Sequence, residues 1–348
     1  MMRGISIIGV VVHHSLLYLP RQDNSLLGII QTLSGSTVHL FFILSGCGLT
    51  ISFFKNTQFS WGKWAKKRFL RIIVPYWIII ILTFSIVTLA NIIIPDVIIR
   101  GYSWKSLLSY LTFTRNFYEP SWGLNPPMWF MPIIIGLYIL FPFLMKVLKK
   151  YGVLALIIIS VVLTYGSITL FILLDFPTKH QAAPFLFFVA EFSLGMLIGY
   201  FICFNSALFK SLEDFGMFCL GMGFYLFSWV LRTFWSFGPL YNDIFTAVGI
   251  YLIVLYACSW LIRISPKKSV HFLNRVSDES YIMYLIHGPL LLFVLKPVLV
   301  SGMNAVLGPF VMILLCGCFC VVVFMLARSI SRPIGSLTSR LATISLKK

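Results

Sequence analysis

The chain has 348 residues, of which 59% are apolar, 16% aromatic and only 11% charged, and its mean hydropathy is +0.95. Soluble domains carry roughly 25% charged and 45–50% apolar residues, so water cannot dissolve a chain this apolar and this long. Composition therefore excludes a soluble enzyme, a disordered regulator and a nucleic-acid-binding domain, and leaves a polytopic membrane protein. The 27 Lys and Arg against 10 acidic residues need no nucleic acid to explain them, because positive charge fixes which loops of a membrane protein stay in the cytoplasm.

A crossing helix takes roughly 20 mostly apolar residues to traverse about 30 Å of hydrocarbon. In chain order ten stretches qualify: 4–19, 38–54, 72–94, 128–148, 153–176, 185–204, 215–237, 241–264, 281–300 and 306–326. The first is short, and Arg3 followed by the apolar run 5–12 has the form of a secretory signal. Two histidines interrupt it and no small-residue cleavage site follows closely, so it is predicted to remain as a helix. With the N-terminus inside, 20 basic residues fall on cytoplasmic segments and 7 on external ones, the positive-inside pattern of an even number of spans. The expected fold is all-α: a polytopic membrane helix bundle of about ten transmembrane helices with both termini cytoplasmic. It forms a single domain, 1–348, whose tail after about 327 is cytoplasmic. The seven cysteines all lie in apolar stretches and read as small hydrophobes rather than a disulfide framework.

The longest external loop, 95–127, carries Trp104, Phe113, Phe117, Tyr118 and Trp122. These rings are either an interfacial aromatic belt or a platform on which a sugar or lipid headgroup stacks.

Ionisable groups within spans point to function. Arg3 and His14 are eleven residues apart, which at 100° per residue puts them within about 20° on one helix face and about 16 Å apart along the axis. His13 points roughly a quarter-turn away. Imidazole is a suitable proton acceptor near neutral pH, although a histidine bonded to a neighbouring helix would leave the same spacing. Arg68 and Arg71, three apart, are expected on one helix face beside Lys67, where two guanidiniums can grip a pyrophosphate; topogenic charge is the other reading. Glu191 and Arg232 match in depth in the sixth and seventh spans. That depth allows an ion pair between them, and equally a carboxylate that orients His14. His287 follows Tyr281 and Tyr284 at intervals of three, ahead of Pro289, which should loosen the helix. No His, Asp or Glu set converges by spacing, so no metal is expected.

These residues resemble a family. Arg3 and His14 match the arginine, ten residues, histidine motif of the acyltransferase-3 family of bacterial membrane acyltransferases. His39-Leu40-Phe41-Phe42-Ile43-Leu44-Ser45-Gly46 is similar to that family's second span. Lys67-Arg68-Phe69-Leu70-Arg71-Ile72 with Pro75-Tyr76-Trp77 is similar to the entry to its third. Trp129-Phe130-Met131-Pro132 with Leu137-Tyr138 resembles its fourth, and Ser280-Tyr281 with Tyr284-Leu285-Ile286-His287 its ninth. The five matches run in order from Arg3 to His287. Cys47 and Gly48 depart from it, standing where the family usually has a bulky aromatic.

The resemblance implies an enzyme of the bacterial cytoplasmic membrane that moves an acyl group, usually acetyl, from cytoplasmic acyl-CoA to a hydroxyl of a surface polysaccharide or lipid-linked sugar. It implies His14 as general base with Arg3 and Glu191 at the catalytic site. Arg68, Arg71 and Lys67 would hold the acetyl-CoA phosphates, and Tyr284, His287, Trp122 and Trp129 would meet the acceptor. A stand-alone member either transfers directly or hands over to a separate extracytoplasmic partner. The competing reading is a ten-span transporter or flippase for a glycan or lipid-linked precursor. Such carriers have paired broken helices in matching halves, and Pro289 and Pro297 in the ninth span have no evident counterpart in the first half.

Overall fold

The structure, a computed structural model, describes residues 1–17, 26–93, 103–118, 124–176, 183–295 and 309–344. Among these the chain is all helical. In order come α1 (Met2–Leu16), α2 (Leu26–Gly35), α3 (Val38–Lys55) and α4 (Trp61–Arg68), which passes through a wide π-turn at Phe69–Ile73 into α5 (Val74–Ile93). Two short helices, α6 (Trp104–Leu111) and α7 (Arg115–Tyr118), and a 3-10 turn at Pro126–Trp129 lead into α8 (Phe130–Leu173). After α9 (Val189–Phe204) come α10 (Ser206–Ser211), α11 (Phe215–Phe234), α12 (Gly238–Tyr241) and α13 (Asp243–Ile264). The chain ends with α14 (Lys267–Leu290), a second π-turn at Leu291–Leu295, and α15 (Pro309–Ile344).

Among the described residues seven helical stretches are long and apolar enough to cross a membrane, and the protein is a multi-pass membrane protein. Their outer faces carry side chains that water would not tolerate, such as Ile139 at 76% and Phe234 at 78% exposure; facing lipid, such side chains incur no such penalty. One stretch, Pro126–Leu173, is 48 residues long, about 70 Å at 1.5 Å per residue and more than twice the hydrocarbon thickness. It is broken at Gly152, where φ is +83° and ψ −173°, a conformation that only glycine adopts without strain. The two spans expected on either side of this point are therefore the two halves of α8.

Other boundaries differ from expectation. Helix α1 ends at Leu16, and α2 forms where a loop was expected. The ninth predicted span begins inside a helix that already starts at Lys267, and α15 runs on to Ile344, so the tail after 327 continues the last helix.

The chain divides into two compact units, Met1–Ser6 with Ser36–Thr57 and Phe130–Ser277, and Ile7–Gly35 with Gln58–Trp129 and Asp278–Lys348. The first is built on α3 against α9. A Cβ on Gly46 would stand 2.0 Å from the Phe192 carbonyl oxygen, and one on Gly195 would stand 1.9 Å from that of Ile43. Missing side chains thus let the two backbones touch, the usual way helices associate in lipid. Leu40, Ile43 and Cys47 of α3 continue this core onto Ile198 and onto Ala247, Ile250 and Tyr251 of α13. The second unit joins the C-terminal part of α1 to α2, α4–α7, the C-terminal half of α14, and α15. It holds His13, His14 and His287 and the buried Arg115, Asn116 and Asn125.

Candidate functional site

Helices α1 and α14 bring histidines into the second unit. Helix α1 satisfies its own hydroxyls, Ser6 donating to the Met2 carbonyl (2.9 Å) and Ser15 to that of Val11 (2.8 Å). His14 Nδ1 lies 2.8 Å from the Val10 carbonyl oxygen. A carbonyl can only accept, so Nδ1 carries the proton and Nε2 presents a lone pair when the ring is neutral. His13 Nδ1 donates in the same manner to the Gln31 carbonyl of α2 (2.8 Å), which makes it a strut between helices. The His14 ring stands 5.1 Å from that of His287, tilted by 57°.

His287 is fully buried. Its Nδ1 donates to the Tyr284 carbonyl (2.6 Å), and its Nε2 has no hydrogen-bond partner. With Nδ1 of each ring donating to a carbonyl, each presents Nε2 as its acceptor whenever the ring is neutral. Pro289 explains part of the surroundings. Lacking an N–H, it cannot bond the Leu285 carbonyl four residues back, and the side-chain amide of Asn125 donates to that carbonyl instead (3.5 Å). The Asn125 side chain lies over Gly288, where a Cβ would come within 2.1 Å of its Oδ1.

Tyrosines hold this arrangement. Tyr284 donates to the Pro127 carbonyl (2.8 Å), and Tyr281 to that of Ile72 inside the first π-turn (2.6 Å). Tyr76 donates to the Tyr110 carbonyl (2.9 Å). The Tyr110 hydroxyl oxygen accepts from the Asn125 backbone N–H (3.0 Å) and from Arg115 Nε (3.3 Å). Arg115 also reaches Asn116 Oδ1 (3.4 Å), and Asn116 donates to the Trp129 carbonyl (3.0 Å).

The expected site residues are only partly brought together. His14, His287 and Tyr284 share the second unit, but the Tyr284 hydroxyl is spent on the backbone at Pro127. Trp129 is half-buried beside it in sequence and contributes its carbonyl to Asn116. Trp122 lies outside the described residues. Arg3 is exposed and donates to the Leu44 carbonyl (3.3 Å), with Gly48 alongside its guanidinium; the missing aromatic at that departure leaves room for it.

One expectation about Glu191 is corrected. It forms no ion pair with Arg232, which is exposed; His39 Nδ1 donates to its Oε2 at 2.9 Å. Equal depth along two helices says nothing of which way each side chain faces.

A π-turn, Phe69–Ile73, begins between Arg68 and Arg71, so the chain there departs from the regular helix that their spacing assumed. Lys67 and Arg71 are exposed and Arg68 is half-buried. Among the described residues no three metal-ligating side chains converge.

Sequence reasoning missed Tyr110, Arg115, Asn116 and Asn125. All sit in the stretch singled out for its aromatics, where the polar run Thr114-Arg115-Asn116 between aromatic residues was the available signal.

His287, buried with an unpartnered Nε2, and the half-buried His14 beside it thus lie within a multi-pass helical membrane protein, where ionisable side chains are costly to place. The family model described as "Acyltransferase domain", that of the acyltransferase-3 family, matches residues 1–328, and the chain belongs to this family. No curated protein and no solved structure matches the chain.

Proposed function

We propose that the protein transfers an acyl group, acetyl in the first instance, from cytoplasmic acyl-CoA to a hydroxyl of a cell-surface polysaccharide or lipid-linked sugar. The observation that carries this reading, beyond family membership, is His14. Its Nδ1–H is pinned by Val10, so its Nε2 is poised to accept a proton. In the reaction Nε2 removes the acceptor's hydroxyl proton as the oxygen bonds to the thioester carbonyl carbon. The tetrahedral centre then collapses, the C–S bond breaks, and Nε2 returns the proton to the departing thiolate, giving an ester and free CoA. His287 lies close enough to share a hydrogen-bonded acceptor or water with His14.

Lys67, Arg68 and Arg71 suit the CoA phosphates by charge, and Arg3 either adds to them or holds α1 against α3. His287, with Tyr284 as its support, faces the acceptor, and Trp122 and Trp129 belong to the same path. Glu191 acts at a remove, by holding His39 between α3 and α9. The reading carries ten crossings, both termini cytoplasmic, one functional domain over 1–348 and residence in the bacterial cytoplasmic membrane. The acceptor is met directly or through a separate extracytoplasmic partner.

The test is transfer of radiolabelled acetyl from acetyl-CoA by purified protein in liposomes supplied with an envelope glycan extract. Label in the carbohydrate or lipid fraction with stoichiometric CoA release is expected. Folded protein that neither binds acetyl-CoA nor releases CoA would contradict the reading.

A further inference from the structure

Arg115 is 0% exposed, and among the described residues its guanidinium has no carboxylate within ion-pair distance. Nε donates to the Tyr110 hydroxyl, Nη1 to Asn116 Oδ1, and the guanidinium carbon lies 5.6 Å from the Tyr110 ring centroid. Nη2 has no partner. Burying a cation without a counter-charge costs several kcal/mol even after relaxation, and neutral oxygens and one ring face offset that only in part. Two further buried atoms of this unit lack partners: Asn125 Oδ1, whose backbone N–H shares the Tyr110 oxygen with Arg115, and His287 Nε2, on the turn of α14 whose Leu285 carbonyl accepts from the Asn125 side chain. One cationic donor and two neutral acceptors, all unpartnered in one unit, describe the outline of a polar ligand.

We propose that Arg115 seats an anionic group, a carboxylate or phosphate, carried by one of the two reactants, with Asn125 Oδ1 and His287 Nε2 receiving the same reactant's hydroxyl or N–H groups. This rests on the acyl-transfer reading for the identity of the reactants, but the anion seat itself does not. Guanidinium is the side chain suited to such a group, since its planar fork binds carboxylate or phosphate through two parallel bonds. Arg115 thereby sets specificity. The anion belongs either to the far end of a dicarboxylic acyl chain or to an acidic or phosphorylated sugar acceptor.

The protein in liposomes is titrated with labelled succinate, glucuronate and inorganic phosphate, and with glucose as the neutral control. Saturable binding of at least one anion, absent for glucose and weakened tenfold or more in Arg115→Gln, is expected. Arg115→Lys keeps the charge and loses the fork, and should bind with intermediate affinity. Should Arg115→Gln fail to fold, a lysine variant as tight as wild type overturns the proposal; so does wild-type protein that binds no anion saturably, or an affinity unchanged in folded Arg115→Gln. CoA release from succinyl-CoA against acetyl-CoA, and transfer to glucuronate against glucose, identify the source. A preference for succinyl-CoA places the anion on the acyl chain, and a preference for glucuronate places it on the acceptor. Arg115-dependent binding without turnover keeps the seat and rejects acyl transfer; turnover without such binding does the reverse.

Discussion

Gly288 carries no side chain where Asn125 needs the space, and the two residues are separated by more than 160 positions in the chain. A Gly288→Ala methyl would stand 2.1 Å from Asn125 Oδ1 and 3.2 Å from Pro127 Cδ, so the Asn125 side chain would have to move. Overpacking of this kind costs about 1–3 kcal/mol. Gly288→Ala should therefore lower the thermal midpoint in detergent and reduce acetyl transfer by about tenfold. Retention of full activity would show that Asn125 does not help to position His287. Glu191 makes a contrasting case. It is 1% exposed and bonded to His39, and breaking a buried pair by removing one partner costs about 3–5 kcal/mol. Glu191→Ala should lower the thermal midpoint well below that of Glu191→Gln, which keeps a bond to His39. Transfer per folded molecule should stay near wild type in the glutamine variant, and a loss there without loss of stability would return Glu191 to the chemistry.

At the scale of elements, both wide turns neighbour a proline: Pro75 follows Phe69–Ile73, and Pro289 precedes Leu291–Leu295. A proline removes one helical bond and crowds the carbonyl four residues earlier, and widening the turn is one way a helix absorbs this. Lys67 and Arg71, four apart and both exposed, flank the start of the first of these turns. Removing both, as Lys67→Ala with Arg71→Ala, should weaken CoA binding by tenfold or more, and by more than Arg68→Ala alone. Isothermal titration with CoA checks this, and an unchanged affinity would return the cluster to a topogenic role. The α3–α9 contact gives an independent prediction. Gly195→Ala would drive a methyl into the Ile43 carbonyl, so it should destabilise the protein by at least about 1–3 kcal/mol, seen as a lower thermal midpoint with no selective effect on CoA affinity.

Across the whole molecule, what was legible in the sequence followed from one-dimensional patterns. Runs of apolar residues located α3, α5, α9, α11 and α13 to within a few residues, and the separation of spans at Gly152 followed from a polar, glycine-containing interruption in an otherwise apolar stretch. Spacing along a single helix also placed Arg3 and His14 correctly on α1. What stayed hidden depends on partners far away in the chain. His39 with Glu191 spans 152 residues, Asn125 with Leu285 160, and Tyr284 with Pro127 157; matched depth gives one coordinate of such a contact and leaves the rotation of each helix open. The π-turn at Phe69–Ile73 escaped for a different reason, since a regular helix was assumed where the chain widens ahead of Pro75. The central claim is that His14 Nε2 accepts the proton that acyl transfer releases. Its most direct test is acetyl transfer by His14→Ala and His13→Ala, each folded and reconstituted in liposomes beside wild type. A loss of about 100-fold or more is predicted for His14→Ala, the scale of general-base catalysis, while His13→Ala, which removes the strut to Gln31, keeps much of the activity. Full transfer by His14→Ala would contradict it.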